Sequence, residues 1–379
     1  MLIKKSSELI EFIDLLGEPP YIAIDTEFIP ENTYFPQLCL IQIAYGEHQA
    51  VIDTLANIDL NPLVSLLINP KIVKVFHAGD QDLAIFWNTF KQIPSPVFDT
   101  QIAAMVCGFG DQVSYSKLVK AITNNTLDKS SQIVDWSKRP LMAQHVNYAI
   151  ADVTHLCVVY EYLLKDIKDR NRDSWVVEEM NELVDIKRYE FNPDIQIKKI
   201  KLKGASPRRL AILRELVVWR DEEARLKNHP RTWILKDNSL RDIASNPPHN
   251  IETLARIRGI GGIATGKSGK KILECIQSAK QLPIEKCPIY DDFKNGEYAN
   301  SEVVALLNAL LKSICEKNDM AARLVATKSD IEKFVLGDPT KVAKGWRWNL
   351  FGKQASRLLQ GKIALTVRDN NIDIVNLNE

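Results

Sequence analysis

The sequence predicts an α/β domain with a mixed sheet, followed by two small all-α modules. Three observations carry that prediction. Over residues 20–100, β-rich apolar runs come first in succession and then alternate with helical stretches, the pattern of a sheet with helices packed on its faces. From about residue 200 the periodicity is helical and broken only by Gly and Pro clusters. The formal charge also changes sign along the chain: residues 1–165 hold 11 Lys/Arg and 18 Asp/Glu, whereas residues 166–379 hold 38 and 30. An acidic half suited to cations precedes a basic half suited to polyanions, and the combination points to a nucleic-acid partner.

Residues 1–20 read as a short amphipathic helix leading through Gly17-Glu18-Pro19-Pro20 into a buried strand, Tyr21–Ile24, with Asp25 and Glu27 at its end. Two residues apart on an extended backbone, both carboxylates point to the same side. Two acids held together repel unless a cation lies between them, and hard oxygen ligands suit Mg²⁺ or Mn²⁺. Leu38–Tyr45 and Ala50–Asp53, separated by Gly46-Glu47, predict an antiparallel meander. A helix at Pro62–Leu67 and a strand at Ile72–Phe76 follow. In His77–Trp87, Gly79 permits a tight turn and Asp80 can cap the next helix. Leu83, Phe86, Trp87 and Phe90 give that helix one buried face. Asp82 in its first turn can reach back over the carboxyl end of the sheet, and Asp80 is a rival for that role. Phe98-Asp99-Thr100 opens a helix running through Cys107, with Asp99 structural, and Ser114–Ile122 is helical. Residues 127–141 form a polar loop containing Lys129, Trp136, Lys138 and Arg139. Met142–Leu164 is helical, with Tyr148 and Asp152 one turn apart on one face.

A linker helix over Asp173–Tyr189 leads to the basic run Lys198–Arg209, which contains Lys201, Lys203 and Arg208 and no acid. Helices near Pro207–Leu226, Ser239–Ala244, Asn250–Ile257 and Lys267–Lys280 make the first module, with Trp219 and Trp233 expected in its core. Helices near Glu302–Lys317, Ser329–Val335 and Asn349–Leu359 make the second. The expected boundaries are 1–170 for the α/β domain, 171–203 for a linker helix and basic strand, and 204–284 and 296–370 for the modules. The six cysteines are scattered with no CxxC pair, which fits buried thiols in a reduced cytoplasmic compartment. No run reaches the roughly 18 uncharged apolar residues of a membrane span, and the amino terminus lacks the apolar core of a signal peptide.

Taken together, Asp25-Thr26-Glu27, His77-Ala78-Gly79-x-x-Asp82 and Tyr148-x-x-x-Asp152 resemble the three motifs of the DEDD exonucleases in their tyrosine variant. Leu127–Ser130, Asp135-Trp136-x-x-Arg139-Pro140-Leu141 and Tyr148-Ala149-x-Ala151-Asp152 make the chain similar, over nearly its whole length, to the ribonuclease D family. The two helical modules resemble HRDC domains, the second more divergent than the first. The resemblance implies a ribonuclease-H-like exonuclease domain. It selects Asp82 over Asp80, and Tyr148 as the partner of Asp152. The histidine variant needs His five residues before the last Asp, where Asn147 stands, and His145 lies a turn away as a surface residue. The resemblance further implies that Asp25, Glu27, Asp82 and Asp152 hold two divalent ions, Mg²⁺ or Mn²⁺, roughly 4 Å apart. Asp25 would bridge both, Glu27 and Asp152 would complete one, Asp82 would help the other, and Tyr148 would orient the attacking water. The expected reaction removes 5′-mononucleotides from a free RNA 3′ end, with tRNA precursors and other stable RNAs as substrates and a monomeric enzyme. Lys129, Arg139, Lys201, Lys203, Arg208 and Lys267 are candidate substrate contacts.

Two other readings start from the same residues. The motifs serve DNA exonucleases equally well, and a non-catalytic nucleic-acid scaffold on the same fold is the other, although all four acids are present. Gly261–Ser268 matches the phosphate-loop pattern G-x-x-x-x-G-K-S, but such a loop needs a buried strand before it. Leu254–Ile260 is instead helical in spacing and carries Arg256 and Arg258. The expectation is therefore a helix–Gly turn–helix that contacts a phosphate backbone through Lys267, Lys270 and Lys271, with no nucleotide cofactor.

Overall fold

A computed structural model describes residues 1–29, 32–127, 134–200, 202, 204–289 and 298–377. Contacts divide the chain into two units: residues 1–29, 38–189 and 298–379 form the first, and residues 30–37 and 190–297 the second.

The first unit is built on a six-stranded sheet. In chain order its strands are β1 Leu2–Ile3, β2 Tyr21–Ile29, β3 Gln37–Tyr45, β4 His48–Asp53, β5 Val73–Phe76 and β6 Val97–Asp99, and in space they run β1-β4-β3-β2-β5-β6. β3 and β4 form the expected antiparallel hairpin, while β2, β5 and β6 are mutually parallel neighbours. β1 and β6 have only two and three residues, too few to show a period of two. The helices on this framework are α1 Ser6–Leu16, α2 Asn61–Leu67, α3 Asp80–Phe90, α4 Thr100–Val106, α5 Tyr115–Thr123, α6 Ala143–Asp169 and α7 Asp173–Leu183. On α6, Ala149, Val153, Leu156, Tyr160, Leu163 and Ile167 are buried, one continuous stripe at helical spacing.

In the second unit, α8 Pro193–Ile200 takes up Lys198 and Lys199, so this part of the expected basic strand is helical; Lys201 and Lys203 lie outside the described residues. The unit continues with α9 Pro207–Lys227, α10 Arg231–Ile234, α11 Asp237–Ser245, α12 Ile251–Ala255 and α13 Lys267–Gln281. Leu213, Leu216, Trp219, Leu240, Leu254 and Ile272 fill its core. Trp219 is 3% exposed, as expected, but Trp233 is 58% exposed. Four residues of helix leave Trp233 on the outer side, while Ile234 and Leu235 supply the buried contacts.

The C-terminal helices return to the first unit: α14 Ser301–Lys317, α15 Ala322–Val325, α16 Lys328–Val335, α17 Gly345–Arg347 and α18 Lys353–Leu359. They do not stand as a separate module, because Leu307, Ile314, Ile331 and Phe351 belong to the same core as Ile24 and Phe86 of the sheet domain. The joint is specific. Trp346 stacks on Trp175 of α7 at 4.8 Å and 12°, and the buried Arg347 donates to Glu179 at 2.7 Å. The chain then forms an antiparallel hairpin, β7 Ile363–Arg368 and β8 Asn371–Asn376, where no strand was expected. All six cysteines are free, and among the described residues no helix is long and apolar enough to cross a membrane.

Candidate active site

β2 lies between β3 and β5, and its pairing with β5 covers only Tyr21–Ala23. Asp25 and Glu27 therefore sit just past that ladder, at the carboxyl end of the parallel strands, where open α/β sheets bind ligands. One oxygen of Asp25, one of Glu27 and one of Asp152 all lie within 4.8 Å of one another. Residues from a strand and from a helix more than a hundred positions later thus form one cluster.

Asp82 approaches from a different direction. The turn between β5 and α3 is pinned by Asp99, whose side chain accepts from Ala78 N at 3.2 Å and Gly79 N at 2.8 Å and caps α4 through Gln101 N and Ile102 N. Ala78 takes a positive φ of 56°, and a Cβ on Gly79 would fall 2.6 Å from Phe76 Cβ, so the turn depends on glycine there. This turn sets the first turn of α3, and Asp82 is buried there. The Thr26 hydroxyl donates to Asp82 Oδ1, so the residue between Asp25 and Glu27 holds the fourth acid. Asp80 faces outward and pairs with Arg188 at 2.5 Å. The structure thus brings Asp82, not Asp80, to the cluster.

A second layer holds the helix side. Tyr115 donates to the main-chain oxygen of Asp152, and its ring lies 5.1 Å from that of His77. The Thr100 hydroxyl donates to Phe76 O at 3.0 Å and lies 3.0 Å from His77 Nδ1. Burial lowers the pKa of His77 and keeps the ring neutral. Trp136 is buried and stacks on Tyr148 at 6.3 Å and 30°. Its loop is fastened by Arg139, which donates to Asp53 through Nε at 2.7 Å and Nη2 at 2.6 Å, and to Trp136 O at 2.6 Å. The expectation that Arg139 contacts substrate is therefore corrected: its guanidinium is spent on holding the loop. Tyr115 stands in no motif, and Trp136 stands in the Asp135–Leu141 stretch without a role; an aromatic in a sequence is ordinarily read as core.

The charges in the cluster are unbalanced. Burial, then repulsion by Asp82, Asp152 and Glu27, pushes the Asp25 carboxyl well above the usual range. Burial followed by Asp152 and Asp82 raises Glu27 to about 8. Burial raises Asp82 to about 6 against the Thr26 hydrogen bond, and Asp152 to about 6 against the opposing effect of the Tyr148 hydroxyl. Burial, followed by the charges of Asp152 and Glu27, raises Tyr148, which keeps its proton. Partly buried carboxylates that repel one another, with oxygen donors only, are the donor set of a hard divalent cation. The residues fit such an ion.

Lys129 is outside the described residues, as are Lys201 and Lys203. Arg208 donates to Ala279 O and Leu282 O, both at 2.6 Å, and so closes the α9–α13 contact instead of facing a ligand. Lys267 is exposed at the first position of α13, beside Gly266.

Comparison with known proteins agrees with this geometry. A family model described as a 3′-5′ exonuclease matches residues 1–168, and the HRDC domain model matches residues 209–276. The ribonuclease D of Gluconacetobacter diazotrophicus is 42% identical over 371 residues, covering 97% of this chain and 94% of that protein. The ribonuclease D of Zymomonas mobilis is 41% identical over 377 residues, 98% and 97% of the two chains. Among solved structures, Escherichia coli RNase D, described as an exoribonuclease involved in structured RNA processing, superposes with a TM-score of 0.83 at 28% identity, over 95% of this chain and 98% of that one.

Proposed function

Because this chain belongs to the ribonuclease D family and is a 3′-5′ exoribonuclease, we propose that it trims the 3′ ends of tRNA precursors and other structured stable RNAs. It would work as a cytoplasmic monomer, with two Mg²⁺ or Mn²⁺ ions held by Asp25, Glu27, Asp82 and Asp152. The observation that carries the proposal is the convergence of Asp25, Glu27 and Asp152 within 4.8 Å. Bound divalent ions supply a water of lowered pKa and neutralise charge on the departing oxygen. The chain's residues do the rest. Asp25, Glu27 and Asp152 would hold the ions together with Asp82, whose carboxylate the Thr26 hydroxyl fixes. Tyr148, protonated and braced by Trp136, donates a hydrogen bond that orients the attacking water. Tyr115 and Asp99 hold α6 and the β5–α3 turn in the positions this requires.

The test is purified protein with Mg²⁺ and three substrates: 3′-labelled RNA, DNA of the same sequence, and a tRNA precursor bearing a 3′ trailer. Stepwise loss of 5′-mononucleotides from the RNA, with shortening of the trailer, is expected. Equal or faster digestion of DNA would favour the DNA-exonuclease reading. Binding without hydrolysis would favour a scaffold.

A further inference from the structure

On α7 the residues Val176, Met180 and Leu183 recur at helical spacing and are buried, and the helix packs on β6 and α4. β6 is the last strand of the sheet, so a main-chain N–H on its outer side has no strand to pair with. Asp99 is 3% exposed, which puts its N–H out of reach of water, and an orphaned buried donor is costly. The Met180 sulfur takes it: Asp99 N donates to Met180 Sδ at 3.1 Å. A thioether is a weak acceptor. Close packing does not hold Met180 on every side, since it borders a hollow of about 270 Å³ lined also by Val97, Phe98 and Val184.

That N–H belongs to the residue on which the Asp82 turn depends. The Asp99 carboxylate accepts from Ala78 N, Gly79 N, Gln101 N and Ile102 N, so a shift of its main chain carries the β5–α3 turn with it. Asp82 stands three residues past Gly79. The chain beyond α7 grips the other side of that turn. Tyr189 donates its hydroxyl to Leu183 O at 2.7 Å, bracketing the 3₁₀ turn Ile186–Arg188. Arg188 Nε then donates to Asp80 Oδ1 at 2.5 Å, in the first turn of α3. As an exposed ion pair it adds little stability; what it fixes is the orientation of a helix start two residues from Asp82. One segment, residues 180–188, thus holds both the pin of the turn and the start of the helix. The Thr26 hydroxyl reaches Asp82 Oδ1 only while both are in place, because a hydrogen bond weakens steeply with misalignment.

We propose that Met180 and Arg188 are positioning residues for Asp82, holding its carboxylate at the divalent-ion site through Asp99 and Asp80. The proposal rests on the reading that Asp82 helps to bind the ions. The test uses the full chain and reads Mn²⁺ binding, from the electron paramagnetic resonance signal of the free ion, alongside kcat and KM on a short RNA. Met180→Leu keeps the volume and removes the acceptor. Mn²⁺ affinity and kcat should each fall about tenfold, the lower end of what losing a group that orients a metal ligand costs, with KM unchanged. Met180→Gln returns an amide oxygen and should recover most of both. Simple packing predicts the reverse order, with Leu tolerated as an apolar swap of like volume and Gln damaging as a buried amide. Arg188→Ala should also lower Mn²⁺ affinity and kcat, but no further once Asp80→Asn is present. Lys187→Ala, at an exposed neighbouring cation, serves as the control and should alter neither. Near-normal Mn²⁺ binding and kcat in both Met180→Leu and Arg188→Ala would overturn the proposal, as would Met180→Gln performing worse than Met180→Leu. If Met180→Leu does not fold, the exposed Arg188 and its cycle with Asp80 decide. Failure of the unmutated chain to bind Mn²⁺ would instead overturn the metal reading.

Discussion

Replacing Asp25 by Asn should abolish turnover and at the same time stabilise the metal-free protein. An oxygen of Asp25 lies within 4.8 Å of an oxygen of Glu27 and of Asp152. At that separation and an effective dielectric of about 20, two ionised carboxylates repel by about 3 kcal/mol. Part of this is already relieved by protonation, since Glu27 titrates at about 8 and Asp152 at about 6. A gain of about 2 kcal/mol from removing the charge of Asp25 at pH 8 corresponds, for a chain of this length, to a rise in Tm of about 2–4 °C. The sign with pH follows from the raised values. Carboxyls that titrate higher in the folded chain than in the unfolded one bind extra protons when folded, so the metal-free protein loses stability as pH rises from about 4 to about 8. Asp25→Asn should therefore flatten that loss, with little gain at pH 5. The assay is thermal unfolding in EDTA at pH 5 and pH 8, repeated with Mg²⁺. Mg²⁺ should raise the Tm of the unmutated protein at pH 8 and raise that of Asp25→Asn less. A variant equally stable or less stable than its parent in EDTA at pH 8 would refute the repulsion on which the metal assignment rests.

Tyr148→Phe should slow the chemical step by about 10²-fold or more while metal and RNA affinity hold, as measured by single-turnover cleavage and metal titration. Trp136→Leu removes the stack on Tyr148 and should lower kcat in the native background but hardly further in Tyr148→Phe, which a double-mutant cycle reads directly. Glu179→Ala leaves the buried Arg347 uncompensated and should cost about 3–5 kcal/mol of stability, visible by denaturant unfolding. For the same reason a chain truncated near Asp194, which the charge division alone suggests would stand as an active nuclease, should unfold or aggregate. It lacks Leu307, Ile331 and Phe351 from the core it would need.

Asp25 and Glu27 were legible in the sequence because they lie two apart at the end of a buried strand. The Gly79 turn left Asp80 and Asp82 as rivals, and Tyr148 and Asp152 one turn apart on a helix are a weak signal alone; the family resemblance, not a local pattern, selected Asp82 and Asp152. Most long helices were legible too, their apolar spacing being strong over many turns. What the sequence hid are contacts between distant segments. Arg139 reads as a loop cation and is in fact bidentate on Asp53. The residues after 300 read as a second helical module because their own pattern is amphipathic. Their apolar faces close against α4 and α7, and nothing local encodes which partner they choose. The hairpin 363–376 was missed because its outward residues alternate too weakly to stand out. Trp233 was misread by the ordinary expectation that tryptophan is core.

The most direct measurement follows 5′-labelled RNA with a single-stranded 3′ tail, incubated with Mg²⁺ and either the unmutated protein or Asp25→Asn, Glu27→Gln or Asp152→Asn. A ladder that shortens one nucleotide at a time from the 3′ end, with 5′-mononucleotides as the sole product and no cleavage by any of the three variants at any Mg²⁺ concentration, is the result expected. Internal fragments, or near-normal turnover in any one of the variants, would contradict the assignment of these carboxylates as the catalytic centre.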